Sequence, residues 1–532
     1  MNHSAFRTAA LLLLALQGLA PALARADAAL AQRLAALRPE QALTVAGARV
    51  AANPVLQALH AEGRALWTPA AAAQLLAAVR SADTDGLHPT DYALAALERL
   101  DREPDAATPA DVELLRSSAL LHLAGDIYRG ALDPRDFVPE VDLPRAELDP
   151  ATVGETLRKT ITTPDIPGLL AQLRPRSRLY ETLRDGLAAH RRIAAAGGWG
   201  SVPPGPTLRP GERSPRVSAL RTRLLASGDL KQAYVPGEAE LYDEPTVQAM
   251  RHFQQRHQLD SDGVVGAKSI AALNVPVEAR IAQIRVNLER ARWLLRDLPP
   301  TYVLVDIAGF SVHYVRDRKQ VLQSRAVVGK PFRRTPIFRA AISYLEFNPT
   351  WTVPPTILRN DMIPAVRKDP GYLAKRNIRV LDLQGKPVDA SRVDWSGQSG
   401  KGFPYVLRQD PGPENALGVV KLMFPNAHHV YLHDTPSREL FAKSERGLSS
   451  GCIRVEKVEE LARALLSADG KDAALADQAI ASGQTRRISL STKVPVMLYY
   501  WTVALEDDGD VLFKPDIYAR DAPLLRALER PR

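Results

Sequence analysis

From about Ala28 to Arg192 apolar residues recur at helical spacing, most clearly over Ala70 to Val79 and Val112 to Leu123, and predict a run of helices. Asp85-Gly86-Leu87-His88-Pro89 and Leu132-Asp133-Pro134 interrupt it as turns. Ala194 to Pro215 is dense in Gly and Pro and reads as a linker, with Trp199 packed on a neighbour. Between Ser214 and Asn274 three short helices follow, marked by Val217, Leu220 and Leu224, by Val247, Met250 and Phe253, and by Ile270 and Leu273. Asp262-Gly263 turns the chain between the second and third. Val277 to Leu295 predicts a long amphipathic helix with a stripe of Ile281, Ile284, Leu288, Ala291 and Leu295. From Tyr302 the pattern changes to short runs of β-formers: 302–307, 311–314, 324–328, 341–347, 419–424, 429–432, 488–490 and 496–500. Residues 355–418, long and rich in Pro, Gly, Asp and Arg, read as a lid or binding loop set among these strands.

Composition adds class and compartment. A chain of 532 residues with 45% apolar and 24% charged residues is too long for one core and too apolar for disorder, so about three or four folded domains are expected. Arg7 precedes an apolar stretch from Ala9 to Ala20, and Ala22-Leu23-Ala24 and Ala24-Arg25-Ala26 offer small-x-small cleavage sites. This is the pattern of a secretory signal. The run is short of the roughly 20 residues a membrane span needs, which favours cleavage over retention as an anchor. No later segment is apolar enough to span. The net charge of +9 suits anionic wall polymer or a membrane surface, or else a solvated Arg-rich exterior. Nucleic acid is not expected, because the chain has no basic cluster with interleaved aromatics.

The chain has 1 cysteine, so no intramolecular disulfide can form, and an exported lone thiol is a bystander or a reactive group. Cys452 sits in Leu448-Ser449-Ser450-Gly451-Cys452-Ile453-Arg454-Val455, a Ser/Gly turn before a helical stretch from Lys457 to Leu466. Upstream, a predicted strand runs into His433 in Val430-Tyr431-Leu432-His433-Asp434-Thr435-Pro436. A free thiol is only a few per cent ionised at neutral pH. An imidazole can take its proton, if a partner on the other ring nitrogen fixes the tautomer. Gly451 permits a tight turn, and successive amides there can face a developing oxyanion. His428 and His429 lie close by, with His429, Tyr431 and His433 on one strand face. They lack the acidic partners of a metal set, so no metal and no cofactor is expected. Trp351, Tyr405 and Tyr431 are cleft candidates by position, although such aromatics are more often core.

The cysteine and histidine blocks resemble the L,D-transpeptidase (YkuD-type) catalytic domain. Ser450 stands where many members have a second histidine, which leaves His433 as the base. The Ser-Ser-Gly-Cys form, Gly329-Lys330 with Thr335-Pro336, Asn348-Pro349-Thr350-Trp351 with Val353-Pro354, Tyr500-Trp501-Thr502 and Asp516-Ile517-Tyr518 are similar to the large multidomain periplasmic branch. Ser214 to Asn274 resembles a three-helix peptidoglycan-binding domain, and Asp85-Gly86-Leu87 with Gly130 to Pro134 resembles that branch's scaffold. The fold class implied is multidomain α+β: a helical N-terminal scaffold, the three-helix domain, and a mainly-β catalytic domain with an inserted lid. The boundaries expected are a signal peptide at 1–26, a scaffold at 27–193, a linker at 194–213 and the binding domain at 214–275. A connector helix at 276–299, a catalytic domain at 300–505 with its lid at 355–418, and a tail at 506–532 follow.

The resemblance implies residue roles. Cys452 is the nucleophile and His433 the general base, oriented by the backbone carbonyl of Asp434. The amides of Gly451 and Cys452 form the oxyanion hole. Arg454 either steers an acidic substrate group or makes a structural ion pair. Ser449 and Ser450 bond within the loop, while Tyr431 and Trp351 are substrate-site candidates by position alone. The activity implied is a cysteine acyltransferase that forms 3→3 cross-links in wall biogenesis and cell shape. A tetrapeptide donor loses its terminal D-residue, passes through a thioester, and meets the amine of another stem. Periplasmic location, acylation by carbapenems, and work beside a peptidoglycan synthase and a D,D-carboxypeptidase are implied as well. Water or a lipoprotein amine as acceptor, a cysteine endopeptidase, and a non-catalytic wall-binding protein are the alternatives.

Overall fold

A computed structural model of the chain describes residues 27–38, 42–137, 147–232, 239–296, 298–398, 400, 402–505 and 510–532. The expected signal segment, 1–26, lies outside them. No described helix is long and apolar enough to cross a membrane.

The N-terminal part is helical. The pattern over 70–79 becomes Pro69–Arg80, whose cap Thr68 accepts the Ala71 N–H. The pattern over 112–123 becomes α1, Pro109–Arg129, capped in the same way by Thr108 on the Asp111 N–H. Such caps contribute about 1 kcal/mol each. Apolar faces meet in one core that includes Leu75, Val79, Leu114, Leu120, Ile127 and Leu157. Helix α2, Arg178–Ala195, ends this part.

Helices α3 (Arg216–Ala226), α4 (Glu244–Arg256) and α5 (Ala267–Leu273) enclose a separate core of Val217, Leu220, Leu224, Val247, Met250, Phe253 and Leu273. Gln254 fastens the turn before α5: its side chain donates to Asp262 and to the Val264 carbonyl, and accepts the Gly263 N–H. The stretch read as a linker joins this unit. Val202 and Leu208 are buried in its core, Leu208 bridges Val265, and the Trp199 indole donates to the Val275 carbonyl at 2.9 Å. Two isolated apolar positions among Gly and Pro make no periodic signal, so a sequence reading misses them.

Helix α6, Val277–Leu294, departs from the predicted stripe. Ile284, Leu288 and Ala291 are buried, but so are Arg280, Arg285, Asn287, Glu289, Arg290 and Arg292. It is enclosed because α1, α2, α8 (Asp521–Leu528) and the strand Val503–Leu505 pack around it.

Nine strands form the main sheet: β1 (Tyr302–Asp306), β2 (Ser311–Arg316), β3 (Lys319–Gly329), β4 (Phe338–Phe347), β5 (Val420–Met423), β6 (Leu432–His433), β7 (Gly447–Ser449), β8 (Ile453–Val455) and β9 (Arg486–Tyr499). Their spatial order is β7-β3-β8-β6-β5-β4-β9-β1-β2, and β2 also pairs with β3, so the sheet closes on itself. Its inner face, with Val303, Val312, Leu345, Leu422, Leu432 and Ile453, packs against α2, α6 and α7 (Val458–Ala468). The two runs predicted at 488–490 and 496–500 are one strand with an irregularity between Ser489 and Val494. The run predicted at 429–432 is shorter, because His429 has φ +54° and the strand starts at Leu432. His429 therefore does not share a strand face with Tyr431 and His433.

The segment 355–418 is ordered into its own subdomain. Trp351–Thr352, Val406–Gln409, Ile378–Leu381 and Pro387–Val388 form a four-stranded sheet in that order. With short helical turns between 355 and 375, they enclose Val353, Leu358, Ile363, Val366, Leu373, Val380 and Leu407. The residues read as a tail also have structure: Val511–Phe513 pairs with Val503–Leu505, and Phe513 and Tyr518 enter the main core.

Candidate active site

Strand β6 lies between β5 and β8, antiparallel to the first and parallel to the second. Leu432 pairs with Ile453, and the Ile453 N–H donates to the Tyr431 carbonyl at 3.1 Å. This register brings Cys452, immediately before β8, to the floor of a cleft of about 770 Å³ shared with Tyr431 and His433. His433 Nδ1 donates to the Asp434 carbonyl at 2.5 Å. The proton is thus assigned to Nδ1 and Nε2 is left as the free base. Asp434 is fixed in turn: its carboxylate accepts the Val419 N–H and pairs with Arg438. Gly418, at φ +60°, packs so closely that an added Cβ would fall within 2.4 Å of the Asp434 side chain, so only glycine fits there.

The electrostatics of the pair follow from the sheet. His433 pairs with Lys421 on one side and Arg454 on the other. Burial, then Arg454 and Lys421, lower its pKa to about 3, against the raising effect of the Asp434 carbonyl. Burial pushes the Cys452 thiol up, while the Tyr431 backbone N–H and hydroxyl, Lys421 and Arg454 oppose it. The thiol and the imidazole are therefore both neutral at rest, and the Cys452 Sγ lies 4.0 Å from the His429 carbonyl.

The turn before Cys452 is tied from several sides. Ser449 Oγ donates to the Cys452 carbonyl at 2.6 Å and accepts the Gly451 N–H at 3.1 Å. Thr335 Oγ1 donates to the Gly451 carbonyl at 2.8 Å and accepts the Gly329 N–H at 2.9 Å. Tyr518 from the C-terminal segment donates to the Gly329 carbonyl and accepts the Thr335 N–H. Gly451 itself has φ +119°, a conformation a side chain would strain. One expectation changes here. The Gly451 N–H, read as an oxyanion donor, is engaged by Ser449. The Cys452 N–H makes no hydrogen bond among the described residues.

The remaining sequence candidates fall as follows. Ser450 is exposed at the rim and accepts from Arg333, which also pairs with Asp361 of the 355–418 subdomain at 2.6 Å. Arg454 lines the cleft, and its Nε is buried with no hydrogen-bond partner among the described residues. It makes no ion pair among the described residues. Trp351 both lines the cleft and packs in the lid core, paired with Gln409. Tyr431 meets the His433 ring edge-on at 5.6 Å. Tyr405 packs in the lid core. His428 and His429 also line the cleft, and among the described residues no group of three or more His, Cys, Asp or Glu is placed to hold a metal. Sequence reasoning assigned no role to Thr335, Arg333, Asp361, Lys421 or Glu346. Thr335 stood in a quoted motif, and the others gave no local signal, because their place depends on strand register and on the lid.

Comparison with known proteins matches these parts. The L,D-transpeptidase catalytic domain family (YkuD) matches residues 300–496, a scaffold domain family matches 59–187, and the family described as "Putative peptidoglycan binding domain" matches 213–273. A curated Haemophilus influenzae protein named "Putative L,D-transpeptidase" is 38% identical over 247 residues, which cover 46% of this chain and 49% of that protein. The chain thus spans about half the length of that relative. Among solved structures, an L,D-transpeptidase fragment from Xylanimonas cellulosilytica aligns at 17% identity and TM-score 0.17 over 56% of this chain and 100% of its own. A cysteine-to-serine mutant of Enterococcus faecium L,D-transpeptidase aligns at 13% identity and TM-score 0.18 over 59% and 100%. At those scores the two add no weight. The family matches over the cleft and over the two helical units carry the assignment: this chain holds a YkuD-family L,D-transpeptidase catalytic domain, a scaffold domain and a peptidoglycan-binding domain.

Proposed function

We propose that the protein is an exported, periplasmic L,D-transpeptidase that forms 3→3 peptidoglycan cross-links through a thioester on Cys452. The observation that carries this reading is the placing of Cys452 and a neutral, tautomer-fixed His433 together at the floor of one cleft. As Sγ attacks the carbonyl of the third residue of a tetrapeptide stem, Nε2 of His433 takes the thiol proton. The Cys452 N–H faces the developing oxyanion. Collapse breaks the amide; the terminal D-residue leaves as an amine, taking the proton from His433, and the thioester remains. The amine of a second stem then attacks, loses its proton to His433, and expels the thiol. The tied Ser449–Cys452 turn holds the nucleophile in place, and the subdomain 355–418 limits water at the thioester. The three-helix unit gives the chain a hold on peptidoglycan. A carbapenem acylates the same thiol.

The test is incubation of the protein lacking residues 1–26 with disaccharide-tetrapeptide, read by mass spectrometry beside Cys452→Ala. Loss of one D-residue with formation of a dimer is expected, and both are absent in the mutant. A shortened monomer without dimer would assign hydrolysis in place of cross-linking. No product, and no carbapenem adduct on Cys452, would refute the reading and leave a wall-binding protein.

A further inference from the structure

Three successive peptide units run through the turn at Cys452, and two side-chain hydroxyls hold them. Ser449 Oγ accepts the Gly451 N–H, which belongs to the first unit, and donates to the Cys452 carbonyl, which belongs to the third. The middle unit joins Gly451 to Cys452. Its carbonyl accepts from Thr335 Oγ1 at 2.8 Å. Its N–H is the Cys452 donor to which the proposed reaction assigns the oxyanion. Carbonyl and N–H of one trans peptide lie in a rigid plane and point in opposite directions. Whatever holds the Gly451 carbonyl therefore also aims the Cys452 N–H.

The chain itself does not fix that plane. Gly451 has φ +119° and no Cβ to restrict its torsions. Strand β8 begins only at Ile453, and the Cys452 N–H makes no hydrogen bond among the described residues. Thr335, between β3 and β4, supplies the fixed point. It is fully buried, and its hydroxyl also accepts the Gly329 N–H at 2.9 Å. With its one hydrogen given to Gly451 and a lone pair taken by Gly329, that hydroxyl has a single orientation. Tyr518 braces it from behind, accepting the Thr335 N–H at 3.1 Å and donating to the Gly329 carbonyl at 2.7 Å. Tyr518 is buried as well and stacks on Tyr500 with ring centres 5.4 Å apart. It lies beyond residues 300–496, the part that matches the catalytic family. The clamp on the nucleophile turn is thus completed by the segment that reads as a tail.

We infer that Thr335 is a positioning residue for acyl transfer: its hydroxyl, braced by Tyr518, turns the Gly451–Cys452 peptide so that the Cys452 N–H meets the oxyanion. The inference rests on the proposed thioester chemistry and names the side chain that directs its oxyanion donor. Thr335 acts through the peptide and not on Sγ. Its effect falls on addition to a carbonyl, where charge develops on the oxygen, and not on the thiol's reactivity as such. Alkylation by iodoacetamide separates the two. There Sγ attacks the methylene carbon, iodide leaves with the bonding pair, the thiol proton passes to His433, and no oxyanion forms.

The experiment treats the full chain, Thr335→Val, Thr335→Ser and Tyr518→Phe with two reagents and follows each adduct on Cys452 by mass spectrometry. One reagent is 4-nitrophenyl acetate, which acylates through an oxyanion; the other is iodoacetamide, which alkylates without one. Thr335→Val keeps the side chain's shape and loses the hydroxyl. It is expected to acylate about tenfold more slowly, part of the roughly 10²–10³ that removing an oxyanion donor outright costs. Its alkylation rate is expected to change by less than about twofold. Thr335→Ser keeps the hydroxyl and acylates at the unaltered rate. Tyr518→Phe shows the same selective loss at smaller size. Unchanged acylation in Thr335→Val, a fall in both rates together, or an equal loss in Thr335→Ser overturns the inference. If Thr335→Val does not fold, Tyr518→Phe decides by the same ratio: a loss confined to acylation upholds the inference, and an unchanged ratio overturns it. Neither reagent carries a stem peptide. A chain that shows the selective loss but forms no product from stems therefore refutes the proposed substrate and leaves the role of Thr335 standing.

Discussion

In the proposed reaction His433 is the base, and its surroundings set the pH range. Burial and two flanking cations hold it neutral down to about pH 3. Protonation removes the base, so activity is lost as pH falls through that value and is retained above it. The acid limb of kcat/KM therefore lies well below the ordinary imidazole value of about 6.5. Rates of carbapenem acylation between pH 4 and 8 check this, and an acid limb near 6.5 would refute it. In Lys421→Met, one of the depressing charges is gone and the limb moves upward. The sequence made the candidate pair legible, because a lone cysteine in a Ser/Gly turn and a histidine at a strand end are local features. It also suggested the Asp434 carbonyl, through the resemblance. It could not show that Lys421 and Arg454 flank His433, since those pairings join residues far apart in the chain. It also gave Gly451 an oxyanion role, although the Ser449 hydroxyl two residues back takes that N–H, a local contact that residue types alone do not reveal.

At the scale of elements, the lid is where pattern reading stopped. Its strands and helical turns are each 2–6 residues long, shorter than the windows in which a period of 2 or 3.6 can be recognised. The segment therefore read as irregular, although its Pro and Gly were punctuating a small fold with its own core. That core makes the lid a body that can move as a unit, and Arg333 is what ties it to the nucleophile loop, through Asp361 on one side and Ser450 on the other. Asp361 is 43% exposed, so the pair is worth about 1 kcal/mol at most. Asp361→Asn is expected to leave folding and Cys452 acylation nearly unchanged while loosening the lid. Water then competes better with the acceptor amine, and the ratio of hydrolysed monomer to cross-linked dimer rises about fivefold, the factor that 1 kcal/mol represents. Mass-spectrometric product ratios at equal turnover decide it. An unchanged ratio would mean that the lid core alone keeps the cleft closed.

At the scale of the whole molecule, α6 joins the units, and its sequence hides the fact. A helix rich in Arg and Glu reads as a half-solvated connector, because buried charge has no signature in a hydrophobic stripe. In the structure nearly every polar residue of α6 has a partner in another unit. Arg285 donates to the Gly86 carbonyl and pairs with Glu529; Asn287 donates to Thr502; Arg290 pairs with Asp521; Arg280 reaches the Ala272 carbonyl. The centre is Glu289, 0% exposed, with Arg292, 1% exposed, at 2.7 Å. Glu289 also accepts the Leu132 N–H at 2.8 Å, and Arg292 donates to the Asp85 carbonyl and to Tyr180 in the scaffold. Replacing one member of a fully buried pair strands the other charge and costs about 3–5 kcal/mol. Arg292→Met is therefore expected to destabilise scaffold and catalytic domain together, because the stranded Glu289 sits where both pack. Pairing it with Glu289→Gln, which removes the charge and keeps an acceptor for the Leu132 N–H, should recover much of the loss. Scanning calorimetry decides between two architectures. If the scaffold and catalytic transitions shift down together in the single variant and return together in the double, α6 is the shared core of one cooperative body. If the catalytic transition stays in place while the scaffold melts early, the helix belongs to the scaffold alone, and the catalytic domain needs only its own sheet.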